Sequence, residues 1–371
     1  MVGTALVVGG GIGGMSAAIS LARRGVAVTL IDADPDWRVY GAGISVTGIS
    51  LRAFDDLGIL DEVRARGFVG AGIRLRTVDG HIIMESPVPE TPSPIQSGGG
   101  ILRPVLHDIL SRTVREAGVE IRLGIKAERM DDDGEGVDVA FSDGTTGRYD
   151  VVAAAEGIFS ETRRMLFPEA PGPVFTGQGC WRILAPRPAH VDRTEMYLGG
   201  SVKVGINPVS RTEMYLFVLE HVPGNPWFAP ERHTAHLAEI LAPFGGDIPA
   251  VRAGLGVASQ VNYRPLEWLL LPSPWYKGRI VLIGDSAHAT TPHMASGAGI
   301  AVEDGLVLGD ELTRDQPVDR ALARFMERRF ERARLVVENS VKIGEIEMAA
   351  GDQVPANTMM GETMRLLQLP Y

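Results

Sequence analysis

The 371-residue chain has one cysteine, Cys180, which rules out an intrachain disulfide and suits a reducing compartment. It has no apolar run near the roughly 18 residues that a membrane span requires, so no stable insertion into a bilayer is expected. The opening run TALVVGG enters a strand directly, with no charged and apolar leader ahead of it, and the expected location is cytoplasmic. Basic residues are outnumbered, 36 Lys and Arg against 46 Asp and Glu. The net charge of −10 argues against a surface that tracks nucleic-acid phosphates. Metal-binding spacings are missing as well. The run Asp131-Asp132-Asp133 lacks the spacing and closing glutamate of a calcium loop, and Asp285, His288 and His293 match no helical or paired-cysteine ligand pattern. Ser286 is not in a serine-hydrolase elbow, because G-x-S-x-G would need glycine at position 288, where histidine stands.

What is present is glycine, and an alternation of strand and helix. The 45 glycines and 24 prolines are dispersed, which reads as many tight connections rather than disorder. ALVV is a strand apolar on both faces, IGGMSAAISLARRG a helix with Met15, Ala18, Ile19 and Ala22 at helical spacing, and VAVTLID a second buried strand. Together they make a β-α-β unit. Residues from about 50 to 66 read as helical, and GIRLRTVDGHIIMES as two strands around Asp79-Gly80. A Pro/Gly/Ser-rich link over 87–100 precedes a helix that starts with Pro104. Residues 127–157 read as a β-meander turning at Asp133-Gly134 and Asp143-Gly144. Residues 172–270 read as an antiparallel sheet broken by one helix, ERHTAHLAEILAPFG. The chain returns to the first domain at RIVLIGD and reads as helical from Ile300 to about Ala349. Its last twenty residues, with Met359, Met360 and Met364, read as a short amphipathic helix packed through methionine.

Two constellations carry chemistry. Gly9, Gly11 and Gly14 form G-x-G-x-x-G between the first strand and its helix: the first glycine permits the turn, the second admits a pyrophosphate, the third lets helix meet strand. Helix amides and the helix dipole then face the phosphates. Asp32, eighteen residues beyond Gly14, ends the second strand, where an acid accepts ribose hydroxyls. The second constellation is VLIGDSAHATTPHMASGAGIAVEDG. Asp285 ends an apolar strand, in place to accept hydrogen bonds from a polyol such as a ribityl chain. The small residues from Ala295 to Gly299 let backbone approach a flat ring at a helix start. Such a site would stabilise negative charge on a reduced flavin, and an NAD dehydrogenase has no use for it.

At these residues the sequence resembles the FAD-dependent aromatic hydroxylases, the single-component (group A) flavoprotein monooxygenases related to p-hydroxybenzoate and salicylate hydroxylases. The likeness runs over nearly the whole chain: VVGGGIGGMSAAISLARRGVAVTLIDAD at the start, YGAGI beside the ring, ILRPVLHDIL with its arginine, and GDSAHATTPHMASGAGIAVED. It implies an α/β fold in which a Rossmann-like, GR2-type FAD-binding domain carries an inserted antiparallel β-sheet substrate domain and C-terminal helices. The expected boundaries are 1–75, 98–171 and 271–345 for the FAD domain, 76–97 and 172–270 for the substrate sheet, and 346–371 for a helical tail.

The resemblance implies FAD contacts at Gly9, Gly11, Ile12, Gly13, Gly14, Asp32, Ala33 and Arg38, then at Gly43, Ile44, Arg103 and Leu106. Further contacts are implied at Glu156, Gly157, Arg163, Gly284, Asp285, Pro292, Gly297, Ala298, Gly299 and Ile300. One departure stands out: the family's ADGIHSxVR pattern is AEGIFSETRR here, so Glu156 replaces an aspartate while Gly157, Ser160 and Arg163 match. The implied reaction uses NADH or NADPH and O₂ to hydroxylate an aromatic small molecule through a flavin C4a-hydroperoxide. The alternative is an FAD-dependent oxidase or reductase of a hydrophobic small molecule without oxygen insertion. Candidate substrate-facing or catalytic residues are Pro292, His293, Arg182, His221 and Tyr215. No metal is expected, and a monomer or homodimer is.

Overall fold

The first apolar run forms the strand Thr4–Val8, in which Ala5, Leu6 and Val7 expose nothing to solvent. A strand wrapped on both faces belongs in the middle of a parallel sheet, and there it lies. The computed structural model describes residues 2–39, 41–69, 72–86, 98–256, 258–349 and 354–371. Tyr40 of the YGAGI run, residues 87–97 of the link and residues 350–353 of the tail lie outside the described residues.

The central sheet has the order Tyr276–Lys277, Ile280–Leu282, Val151–Ala154, Thr4–Val8, Ala27–Asp32, Glu120–Leu123. All neighbours are parallel except the Tyr276–Lys277 hairpin partner. The meander expected over 127–157 divides. Ala127–Asp132, Val137–Phe141 and Thr146–Tyr149 make a separate three-stranded sheet, and Val151–Ala154 enters the parallel core, because its four residues are all buried.

The helix Ile12–Ala22 and the helix Gly297–Leu312 pack through small residues. A β-carbon on Gly305 would stand 2.5 Å from the Ala17 nitrogen, and one on Gly309 2.2 Å from Ser20 Oγ. Ala301, Gly305 and Gly309 recur every four residues, so they form one stripe along the helix. The close crossing sets the two helix starts side by side: a β-carbon on Gly13 would meet the Ala301 β-carbon at 3.5 Å and Gly284 Cα at 3.9 Å.

Two stretches expected to be helical are each divided in two. The 50–66 segment is Gly48–Asp56 followed by Leu60–Arg66, parted at Gly58, whose φ of +73° no helix continues. The 300–349 segment is Gly297–Leu312 and Val318–Met348, parted by residues 313–317, with Pro317 capping the second.

The second sheet has seven strands, Asn262–Trp268, Val174–Pro186, Glu213–His221, Lys203–Pro208, Thr194–Leu198, Ile73–Thr77 and Ile82–Ser86. It is antiparallel except where Thr194–Leu198 runs parallel to Ile73–Thr77, a pairing between strands far apart in sequence. Because that strand begins at Ile73, the sheet takes in residues that a boundary at 75 leaves with the first domain. Its far face carries its own core. Trp181, Ile183, Tyr197, Val204, Ile206, Leu216 and Val218 pack on His233–Ile240 and a second helix, Ile248–Ala253, that the one-helix expectation omitted. By alternation along the strands, Cys180, Arg182, Tyr215, Phe217 and Leu219 point the other way, toward the parallel domain.

Candidate cofactor and substrate site

The motif runs leave the carboxyl ends of adjacent parallel strands: Gly284-Asp285 after Ile280–Leu282, Glu156-Gly157 after Val151–Ala154, Gly9 to Gly14 after Thr4–Val8, with Asp32 ending its own strand. Ligands of open α/β sheets bind in this crevice. Gly9 has φ +103°, and a β-carbon there would stand 2.5 Å from the Ala155 carbonyl. A β-carbon on Gly14 would overlap the Gly9 carbonyl at 1.9 Å, whereas one on Gly11 would meet nothing within 4 Å. Gly9 and Gly14 are thus demanded by packing, and Gly11 opens onto free space at the helix start. That helix has no side-chain cap and no acid in its first turn, which leaves its amides and dipole for an anion.

Asp32 accepts the Gly10 amide at 2.7 Å and the Asp34 amide at 2.8 Å. Both amides hold the carboxylate at the strand end, with lone pairs remaining for ribose hydroxyls. Ala33 and Arg38 are exposed beside it, and Arg38 meets Asp34 at 3.0 Å. Trp37, which sequence reasoning missed, donates from Nε1 to the Gly10 carbonyl at 2.9 Å and walls the turn.

Glu156 Oε2 accepts Ser160 Oγ at 2.6 Å and the Thr162 amide at 3.0 Å, at the start of the helix Glu161–Leu166, whose N-cap is Ser160. Arg163 is buried and donates to the carbonyls of Ser286 at 2.9 Å and Ile158 at 2.6 Å, while the Gly157 amide donates to Ser286 Oγ at 3.1 Å. Arg163 and Gly157 thereby tie this loop to the one that carries Ser286.

Asp285 combines two properties. Its side chain is exposed, yet surrounding protein is dense enough that desolvation pushes its pKa up against the pull of His288 and Arg103. It opens on the crevice at the carboxyl ends of the parallel strands. Facing it is Arg103, half-buried at the head of the helix Arg103–Glu116, whose guanidinium is pushed down by burial and by Arg182. Arg182 comes from the sheet, half-buried, and close enough to act on Arg103, Cys180 and Tyr215. The cleft is therefore roofed by Arg182 with the apolar cluster of Cys180, Leu219, Leu266 and Phe217.

Tyr215 is buried, with its hydroxyl 2.7 Å from Ser45 Oγ. Asn207 donates to the same Ser45 oxygen at 3.0 Å, so the pair joins the sheet to Gly43–Val46. Gly43 is needed there, since a β-carbon would meet the Tyr215 ring at 2.3 Å, and Ile44 follows half-buried. His293 is buried: its Nδ1 lies 2.9 Å from Thr291 Oγ1 and its Nε2 3.6 Å from Glu347 Oε2, against Gly344 on the long helix. It secures the Pro292–Met294 turn against the long helix. His221 is exposed at the far end of its strand, near Gly177.

Leu106 and Ile300 are core residues, whereas Ile12 and Pro292 are half-buried. Gly297 and Ala298 are half-buried at a helix start with no side-chain cap. Gly299 instead meets Ser50, where a β-carbon would be 2.8 Å from Oγ; helix packing is the reason for this glycine. Asp304 went unread in the sequence although it organises the turn: its Oδ2 accepts the Gly284 amide at 2.8 Å and His288 Nε2 at 2.5 Å.

An open glycine turn, a ribose-height carboxylate, a cleft-facing Asp285 and uncapped amides at Gly297 are the donor set that an FAD molecule requires. The chain belongs to the FAD-binding-domain family, whose model matches residues 3–340. It is 30% identical over 368 residues to the putative FAD-dependent monooxygenase YetM of Bacillus subtilis, covering 99% of each chain. It is also 30% identical over 350 residues to 2-heptyl-3-hydroxy-4(1H)-quinolone synthase of Pseudomonas aeruginosa, covering 92% of this chain and 89% of that one. Its fold matches Klebsiella pneumoniae HpxO, solved with FAD and uric acid, at a TM-score of 0.83 and 24% identity, over 98% of this chain and 95% of that one. It is an FAD-dependent monooxygenase of the p-hydroxybenzoate hydroxylase-like fold. No described helix is long and apolar enough to cross a membrane, and no cluster of metal-ligating side chains occurs among the described residues.

Proposed function

We propose that the chain uses NAD(P)H and O₂ to hydroxylate an electron-rich heteroaromatic ring that carries an acidic hydroxyl or carbonyl oxygen, a 4-quinolone-like bicycle being the first candidate. The observation that carries this reading is Arg182. It is half-buried, forms no hydrogen bond to a carboxylate among the described residues, and stands over an apolar patch beside Arg103. A half-buried cation without its own anion attracts an oxygen that bears negative charge. The likeness to the quinolone synthase supports the ring class. We further read the protein as a cytoplasmic monomer or homodimer.

FAD, when bound, supplies the redox chemistry, taking a hydride from the nicotinamide donor and activating O₂ for transfer of one oxygen atom. The remaining work belongs to the chain. Gly9 to Gly14 would receive the pyrophosphate, Asp32 the adenosine ribose, Asp285 and Arg103 the ribityl region, and Gly297 and Ala298 the ring edge. Cys180, Leu219 and Phe217 would keep water from the ring of the substrate, and Arg182 would hold its oxygen as an oxyanion, the form that makes an aromatic carbon a better nucleophile.

The test is to record flavin bleaching by NADH and NADPH, with and without 4-quinolones and hydroxybenzoates, and to weigh the products. Expected are faster bleaching with the right aromatic and a product heavier by one oxygen atom. Peroxide alone, or a product altered without added oxygen, would favour the oxidase or reductase alternative.

A further inference from the structure

The tail Leu367–Tyr371 lies far from the cleft in sequence, yet hydrogen bonds connect it to the Gly284-Asp285 turn. Three arginines surround two buried acids. Arg329, with no exposed surface, donates from Nε to Asp304 Oδ1 at 2.8 Å and from Nη1 to Glu303 Oε2 at 2.8 Å. Arg332 donates to both Glu303 oxygens, at 2.7 and 2.8 Å, and Arg52 reaches Glu303 Oε1 at 3.4 Å. Glu303 leaves other nitrogens of Arg332 and Arg52 in need of acceptors, and the tail supplies them. Arg332 donates to the carbonyls of Leu367 at 2.5 Å and Leu369 at 3.2 Å; Arg52 donates to those of Gln368 at 2.7 Å and Leu367 at 2.9 Å. The Tyr371 ring lies 5.2 Å from the Arg52 guanidinium and 5.8 Å from that of Arg332.

An apolar contact runs beside the ionic one. Leu367 is buried in one cluster with Met294 and Ile300, the residues that flank the start of the helix Gly297–Leu312. Burial works against the Glu303 carboxylate, but Arg329 and Arg332 outweigh it and hold its pKa below the ordinary carboxylate value. If the tail carbonyls were removed, Arg332 and Arg52 would turn to water for acceptors. Glu303 would then draw on Arg329, the donor that Asp304 needs to keep its grip on Gly284 and His288.

We propose that the tail Leu367–Tyr371, through Arg332 and Arg52, Glu303, Arg329 and Asp304, is a positioning element that sets how tightly the Gly284-Asp285 turn holds FAD. This rests on that turn being part of the cofactor cradle. The tail touches neither cofactor nor substrate; it acts on the turn.

The experiment titrates FAD into apoprotein by flavin fluorescence and records the visible circular dichroism of the bound flavin for Arg332→Gln, Arg332→Lys and Arg328→Gln. Arg328 also holds the tail, donating to the Tyr371 carbonyl at 2.9 Å, but it pairs with Asp310 and Glu311 and does not touch Glu303. Arg332→Gln is expected to raise the FAD dissociation constant about tenfold and to alter the flavin dichroism. Arg332→Lys recovers part of this, and Arg328→Gln changes it less than about twofold. Equal losses in Arg332→Gln and Arg328→Gln, or none in either, would overturn the proposal. If Arg332→Gln does not fold, Arg52→Gln replaces it, since Arg52 makes the same two-ended contact from a partly exposed position. Asp285→Ala separates the two layers: full FAD retention there sinks the reading of the turn, whereas loss of FAD there with retention in Arg332→Gln sinks the tail alone.

Discussion

Gly305 lies against Ala17 so closely that a β-carbon at position 305 would stand 2.5 Å from the Ala17 nitrogen and 2.7 Å from the Ser16 carbonyl carbon. Backbone on both sides cannot swing away. The crossing of these two helices is what brings the Gly9–Gly14 turn beside Gly284, so on the proposed cofactor site it bears on binding as well as on folding.

Gly305→Ala is accordingly expected to destabilise the protein by about 1–3 kcal/mol and to weaken FAD retention, read from urea unfolding and flavin fluorescence. Gly361 is the contrast. It sits inside the helix Val354–Leu366 with nothing within 4 Å of where a β-carbon would be. Gly361→Ala should stabilise by about 0.5–1 kcal/mol. Equal effects of the two changes would contradict this account of the crossing.

Ala295 has φ +48° and ψ +28°, a left-handed conformation that costs a residue with a β-carbon about 1–2 kcal/mol. It ends the Pro292–Met294 turn just before the cofactor-side helix. Ala295→Gly should raise the unfolding midpoint in urea, with the sequence around it otherwise unchanged. A lower midpoint would mean that the methyl group has a packing role large enough to offset the backbone strain.

His293 has its pKa lowered to about 3, first by burial and then by Lys203. Glu347, 3.6 Å away, would favour a charged ring, but Lys203 is paired with that carboxylate and cancels it, and Gln178 and Thr291 are neutral. The unfolded chain takes up a proton near pH 6.5 that the folded chain refuses until about 3. The stabilisation is therefore complete above 6.5 and falls as the pH drops, by about 2 kcal/mol at pH 5. His293→Gln should flatten that slope between pH 7 and 5; an unchanged slope would show that other groups cause it.

Tyr215→Phe removes a buried hydroxyl whose pKa is already raised by burial and whose partner is Ser45. Expected are a stability loss of about 1 kcal/mol and an unaltered pH profile of kcat/KM. A profile that lost a limb would put Tyr215 in contact with substrate after all.

Arg182→Met should leave FAD bound and raise KM for aromatics that carry an acidic oxygen by about 10–100-fold, with less effect on neutral analogues. A loss of FAD instead would assign Arg182 to the cofactor.

Legibility in the sequence followed the range of the interactions. The β-α-β start and the run around Asp285 could be read because apolar runs and close glycines act within a few residues. Helical character was legible over 50–66 and 300–349, but the breaks at Gly58 and ahead of Pro317 were not marked off, because helical periodicity outweighed both breakers. Ala301, Gly305 and Gly309 also lay open to reading, as small residues at a spacing of four. The parallel pairing of Thr194–Leu198 with Ile73–Thr77 had no local mark, and neither did the Asp304–Arg329 pair nor the burial of His293 against Glu347 and Gly344. Each depends on partners far along the chain, and Gly299 shows the limit well: its type was informative, but its neighbour, Ser50, was not deducible.

The seven-stranded sheet buries Trp181, Ile183, Leu216 and Val218 on its far side and leaves Arg182, Phe217 and Leu219 on the near side. Alternate positions of the same strands thus answer to different demands. A lineage can exchange the near-side set, and with it the ring that is accepted, while the far-side set continues to hold the strands in register. New appetites can arise on this scaffold without relearning how to fold.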